Sequence, residues 1–332
     1  MQKECFYYLR LLGLSAVVAV FAGCSSVAKQ ANTSLQTLYD YQIVDSQSQR
    51  YLNLDQAVAK LKDSDVIFIG EFHGHHGSHL LQSQLQQALY GLQPNQILSL
   101  EQFDRDTQPV INRYLYGEMG EYTFIKQSRA WKNYTASYRP LVEFAKNHGL
   151  EVVAANAPAD IVRCVGREGE GYLTKLTSEE RALIAQQPFS NNPAYETKFK
   201  NFMQKGKRAT DLQRLQQSYL AQLLRDNTMA ESIYRAKQQA PTHQIIHLNG
   251  SFHSNEFLGT VAELKRLDAN LKISVISPVM FKDSSAGYEA EDLKLGDLLY
   301  LILPLPAEYL DQTERLDAME TLFKEAENKP CK

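Results

Sequence analysis

The sequence has few cysteines, no paired-cysteine motif, no large excess of one charge and no apolar run long enough for a permanent membrane span. Four cysteines occur in 332 residues, with no CxxC or CxxCH pattern among them. This excludes a zinc ribbon and covalently attached c-type haem. A formal charge of −3 argues against nucleic acid or an anionic surface as the main partner. Internal repeats and low-complexity blocks are absent. The N-terminal apolar stretch, Leu11 to Ala22, falls short of the roughly 20 residues that a spanning helix needs.

That stretch has the build of a targeting segment. Lys3 and Arg10 give a positive start, and Phe21-Ala22-Gly23-Cys24 places small residues before a cysteine. The expectation is a signal peptide over 1–23, lipid on Cys24 and a tether over 24–50, polar in its first part as a flexible link should be. No aspartate follows Cys24, so the expected address is the outer membrane, on its periplasmic face. Roughly 300 residues remain, enough for one large domain or a domain with an insertion. Cys164 and Cys331 are allowed to pair in an oxidising compartment, although two positions predict no geometry.

Along that body, short β-type runs alternate with helical ones. Asn53 can cap a helix over Leu54 to Leu61. Strands are expected over Asp65 to Gly70, Gln96 to Leu100, Leu150 to Ala155, Gln244 to Leu248, Leu271 to Ser277 and Leu298 to Leu303. Helices are expected over Ser78 to Leu92, Thr107 to Tyr116, Tyr138 to His148 and from about Asn255 to Leu267. Strands separated by helices predict an α/β fold, a mostly parallel sheet flanked by helices. Pro158 to Pro241 shows no convincing strand, and Asp211 to Gln239 reads as one long helix. A structureless loop of that length is improbable, so a helical subdomain over 158–241 is expected, inserted between α/β segments 51–157 and 242–310.

The densest chemical signal is Gly70-Glu71-Phe72-His73-Gly74-His75-His76-Gly77-Ser78-His79, directly after a strand. Histidine ligates metals and moves protons near neutral pH, and Glu71 can ligate or act as a base. The spacing is not that of HExxH and establishes no zinc site. Glu101, Asn156 and His253 each follow a further strand. In parallel sheets such ends converge on one crevice, so Glu71, His73, Glu101, Asn156 and His253 are expected to share a pocket. A network that only caps loop backbone groups is the plainer explanation of the same residues.

Gly70-Glu71-x-His73, Glu101-Gln102-Phe103, Trp131 with Tyr134, Tyr138-x-Pro140, Asn156-x-Pro158, Ala221-Gln222-x-x-x-Asp226-x-x-Met229-Ala230 and Gly250-x-x-His253 together resemble the ChaN-like lipoproteins. The likeness runs from about Asp65 to Leu267. One departure is Arg225, where relatives often carry tryptophan. The resemblance implies an iron-regulated, haem-binding protein in which two haems stack face to face between the subunits of a homodimer, held by tyrosine. It also implies kinship with Tiki-type proteases and erythromycin esterases, which use a similar core for hydrolysis.

A phenolate is a hard oxygen donor suited to ferric haem. On this reading Tyr195, opening a helix beside Phe199, Phe202 and Met203, is the first candidate ligand and Tyr219 the second. The plainer reading of either is a half-buried aromatic with a wet hydroxyl. Lys198, Lys200, Lys205, Lys207 and Arg208 would neutralise propionates or simply form a solvated helix face. The expected function is non-covalent binding of haem b for haem and iron uptake, holding or relaying haem rather than transforming it, with an outer-membrane haem receptor as a possible partner. The alternative is a metal-dependent ester or peptide hydrolase using Glu71, His73, Glu101 and His253.

Overall fold

A computed structural model describes residues 35–205 and 211–331. The expected signal peptide, Cys24, the first part of the tether (24–34), Lys207 and Arg208 lie outside the described residues. Among those residues no helix is long and apolar enough to cross a membrane.

The chain opens with β1 (Tyr41–Asp45) and β2 (Tyr51–Leu52), then α1 (Leu54–Leu61) and β3 (Val66–Glu71). Asn53 starts α1 through a capping box, its side chain accepting from Gln56 N while Gln56 returns a bond to the Asn53 N–H. Next come α2 (His76–Leu92), β4 (Gln96–Asp104), α3 (Gln108–Leu115), α4 (Glu121–Gln127), α5 (Tyr134–Ser137) and α6 (Arg139–Asn147). Beyond α6, Gly149 takes φ +66°, the left-handed turn expected of a glycine past a helix end. The rest is β5 (Glu151–Asn156), α7 (Ala159–Glu168), α8 (Ser178–Ala182), α9 (Pro193–Lys205), α10 (Leu212–Gln239), β6 (Gln244–Gly250), α11 (Thr260–Leu267), β7 (Ile273–Met280), β8 (Leu298–Ile302) and α12 (Gln312–Glu327).

The eight strands form one sheet in the order β2-β1-β8-β7-β3-β6-β4-β5. From β8 to β5 every neighbouring pair is parallel, whereas β1 runs antiparallel to both β8 and β2. Strand β1 is a correction to the tether expected over 24–50, since residues 41–45 belong to the sheet. Its short length and mixed polarity, Tyr41-Gln42-Ile43-Val44-Asp45, hide it from periodicity. Beyond 310, the described chain continues into α12.

Both faces of the central strands are covered, which is why they read as unbroken apolar runs. Ile67 and Ile69 of β3 pack with Leu81, Leu85 and Tyr138 on one face. Val66 and Phe68 pack with Ala230, Ile233 and Leu264, from α10 and α11, on the other. The described part of 158–241 is helical, but α10 lies against the sheet rather than apart from it. Cys164 and Cys331 are joined as a disulfide with Cα atoms 5.7 Å apart.

Candidate functional site at the strand ends

The order β3-β6-β4 sets three strand ends side by side. Glu71, the last residue of β3, is in register with Gly250, the last of β6. In β4 the pairing with β5 slips between Leu100 and Asp104, and Glu101, Gln102 and Phe103 fall within the irregular stretch. Such bulges bend a strand and re-aim its side chains. Here Glu101 accepts from the Gly250 N–H at 2.6 Å, and Gln102 reaches Glu71 from the same segment.

Glu71 is fully enclosed by donors. Its Oε1 contacts His73 Nδ1 at 2.7 Å and accepts from the Tyr138 hydroxyl at 2.5 Å. Its Oε2 accepts from Gln82 at 2.7 Å, with His79 Nδ1 at 3.7 Å. Burial works to raise its pKa, but the His73 bond, the His79 and His73 charges and the Gln82 bond outweigh it and hold the carboxyl low. Glu71 thereby fixes the ring of His73, whose edge meets Trp131 with centroids 4.9 Å apart. Partial burial of His73 favours its neutral form, yet Glu71 and Glu101 raise its pKa overall.

A second carboxylate–imidazole pair faces the first. His253 Nδ1 lies 2.7 Å from Asp226 Oδ1, and its Nε2 is 3.6 Å from Glu101 Oε1. Burial lowers the His253 pKa, but the charges of Asp226 and Glu101 and the Asp226 bond raise it on balance. Asp226 also accepts from Thr260 Oγ1 and the Tyr195 hydroxyl, both at 2.7 Å. Gly250 keeps the centre open, for a Cβ there would stand 2.8 Å from His73 Nε2. Gly259, at φ +56°, lets the chain pass beneath, where a Cβ would come within 3.0 Å of Asp226 Oδ1.

The structure therefore brings Glu71, His73, Glu101 and His253 together. Asn156 stands beside them in a supporting role, donating to the Glu101 carbonyl and accepting from Ala157 N. The remaining loop histidines do other work. His75 caps α2 and contacts the Leu303 carbonyl, His76 is exposed, and His79 is buried beside Gln82. Among the described residues no group of three or more His, Cys, Asp or Glu side chains is arranged to hold a metal ion. The four residues named for the hydrolase alternative form no such group.

Tyr195 and Tyr219 are not presented to a ligand. They are 1% and 0% exposed, and their hydroxyls donate to Asp226 and Asn191. Desolvation and the Asp226 charge push the Tyr195 pKa well up, opposite to what a phenolate donor requires. The reason is the packing of α9 on α10, which turns this aromatic row inward with Phe199 and Leu223. What α9 leaves outward is Phe202, 51% exposed, with its ring 5.2 Å from Phe252. Lys198 stands 4.9 Å over Phe252 and donates to the Asn255 carbonyl. Lys200 pairs with Glu196. Asp226, Tyr138, Gln82 and Gln102 were missed as site residues, although Asp226, Tyr138 and Gln102 lie inside the ordered motifs.

Chemically, an imidazole held at Nδ1 by a carboxylate offers Nε2 as a proton acceptor or ligand. Two such rings bracket Glu101 at the strand ends, with Trp131 against His73 and with Phe252, the residue before His253, packed on Phe202.

Comparison with known proteins places this arrangement. The family model "Haem-binding uptake, Tiki superfamily, ChaN" matches residues 57–264, well over half of the chain. A structure titled as cofacial haem binding to ChaN of Campylobacter jejuni is 15% identical, with a TM-score of 0.61 over 82% of this chain and 100% of that one. An erythromycin esterase variant, EreC, in its open conformation is 12% identical, with a TM-score of 0.44 over 83% and 86%. No curated protein sequence matches. The fold at this identity is shared with the Campylobacter protein, and the chain belongs to the ChaN family of haem-binding uptake proteins in the Tiki superfamily.

Proposed function

We propose that this protein binds haem b non-covalently and passes it on during haem and iron uptake, as a carrier rather than an enzyme. The observation that carries this reading is the family match over 57–264. Exposed aromatic surface near the strand ends supports it: Phe202 is turned outward with its ring against Phe252, a surface suited to a flat apolar macrocycle. The cofacial haems named for the Campylobacter relative require a pair of facing sites, so a homodimer belongs to the proposal. So does lipid anchoring at Cys24 on the periplasmic side of the outer membrane, which would keep the carrier near a haem receptor.

In the proposal the iron's donor is a tyrosine. Tyr195 and Tyr219 do not fit that role as placed, so ligation by either requires α9 to shift and a buried hydrogen bond to be given up. Titration with hemin tests this, followed by visible absorption and size-exclusion light scattering. The expected result is a tyrosinate–haem spectrum, lost in Tyr195→Phe or Tyr219→Phe, and a dimer mass with ligand. Protein that stays spectrally unchanged with hemin sinks the reading.

One observation favours a second reading, acid/base hydrolysis: the two carboxylate-held imidazoles that bracket Glu101. Turnover of a small ester or peptide, abolished in Glu71→Gln and His253→Ala, would support it. The family favours haem.

A further inference from the structure

Beside the strand-end site, a groove of about 710 Å³ runs between α7, α9 and α10. Arg163, Arg167, Arg214 and Arg225 line it, against a single carboxylate, Asp211, which is occupied in capping α10 through Gln213 N. This is a concentrated positive surface on a chain whose net charge is −3. Its apolar wall includes Phe199 and Ala221. Arg163 and Arg167 are held in place by the C-terminal tail, donating to the Lys329 carbonyl at 2.9 and 2.8 Å. The Cys164–Cys331 disulfide pins the same tail to α7.

Arg225 is different. It is half-buried, and among the described residues no hydrogen bond or ion pair engages it. It adjoins Asp226, the carboxylate that holds His253, so it stands where the groove meets the strand-end site. Gln222 marks the same junction, lining the groove while its Nε2 lies 3.2 Å from His253 Nδ1. A guanidinium that has lost part of its hydration without gaining a partner is a poised carboxylate receptor, because its fork matches two carboxylate oxygens.

We propose that the groove is a carboxylate-binding subsite, where Arg225 grips an acid group of an amphipathic ligand whose apolar body lies toward Phe199. If the cargo is haem, as read above, those acid groups are the propionates, and this groove rather than the lysines of α9 receives them. Lys198 and Lys200 already pair with Glu256 and Glu196.

Three porphyrins separate this proposal from the haem reading: hemin, metal-free protoporphyrin IX and protoporphyrin IX dimethyl ester. Binding to the full chain is followed by quenching of Trp131 fluorescence. The expected result is that wild type prefers protoporphyrin IX to its dimethyl ester by about tenfold or more, the worth of one charge-assisted contact. Arg225→Gln should erase that preference, and Arg225→Lys should restore it in part, with far-UV circular dichroism and melting temperature confirming the fold. Equal binding of acid and ester by wild type overturns the subsite, as does an unaltered preference in Arg225→Gln. Hemin that fails to produce a ligated spectrum while protoporphyrin IX binds through Arg225 would overturn iron ligation and leave the subsite standing. Failure of every porphyrin to bind overturns both.

Discussion

His253 and Asp226, 27 residues apart in sequence, meet through a 2.7 Å Nδ1···Oδ1 contact in the interior, and this contact joins the long helix α10 to the sheet. It is one of the two carboxylate–imidazole pairs at the strand ends. The same carboxylate holds Thr260 and Tyr195, so four elements of the chain converge on one buried acid.

Removing that charge should change both titration and stability. In Asp226→Asn the His253 pKa is expected to fall from its raised position, read by histidine NMR titration. Asp226→Ala should cost roughly 3–5 kcal/mol in urea denaturation, because it leaves a buried network uncompensated. The sign with pH follows from the raised folded-state value. The stabilisation from His253 is fully present below the unfolded pKa, near 6.5, and is lost as pH rises through the folded value. A variant in which His253 titrates as in wild type would show that Asp226 does not control it.

Gly250→Ala should fold but disturb His73. The added methyl would lie 2.8 Å from Nε2, too close to be accommodated without movement of the ring. Overpacking of this kind costs roughly 1–3 kcal/mol. Displaced His73 ring resonances with the other histidines unmoved are expected; an unperturbed His73 contradicts the geometry.

The Cys164–Cys331 disulfide spans a sequence separation of 167. Closing so long a loop restricts the unfolded chain, so Cys331→Ser is expected to lose about 2–4 kcal/mol against wild type under oxidising conditions. With reductant present the two proteins should unfold at nearly the same denaturant concentration. A gap that persists in reductant would assign the loss to packing instead.

Gln108 protects the open edge of the sheet. Its amide donates to the Val152 carbonyl and accepts from Ala154 N, both at 2.7 Å, as a neighbouring strand would. Gln108→Ala should cost about 1 kcal/mol and raise the tendency to aggregate on mild heating, followed by light scattering. Unchanged scattering would mean that α3 shields the edge without this side chain.

The central strands were legible because burial on both faces leaves no polar alternation to confuse the pattern, as in Val66-Ile67-Phe68-Ile69. Asn53 was legible because a cap acts over three residues. Glu71, His73, Glu101 and His253 were legible because each sits at or just beyond the end of a recognisable strand. The inward turn of Tyr195 was not legible, for a physical reason. Periodicity identifies a helix with an aromatic face, but not which neighbour that face meets.

What the chain determined by itself was local: which segments form strands and helices, where they stop, and which polar residues follow them. Those features arise from interactions across a few residues. Tertiary structure alone decided that β6 inserts between β3 and β4, setting Gly250 between two carboxylates, and that α10 returns across the sheet to give Asp226 to His253. It also decided that Tyr195 of α9 turns inward onto Asp226 of α10, while Arg225, the residue before Asp226, is left without a hydrogen bond or ion pair among the described residues. Such outcomes depend on contacts between segments far apart in the chain, whose geometry no local pattern carries.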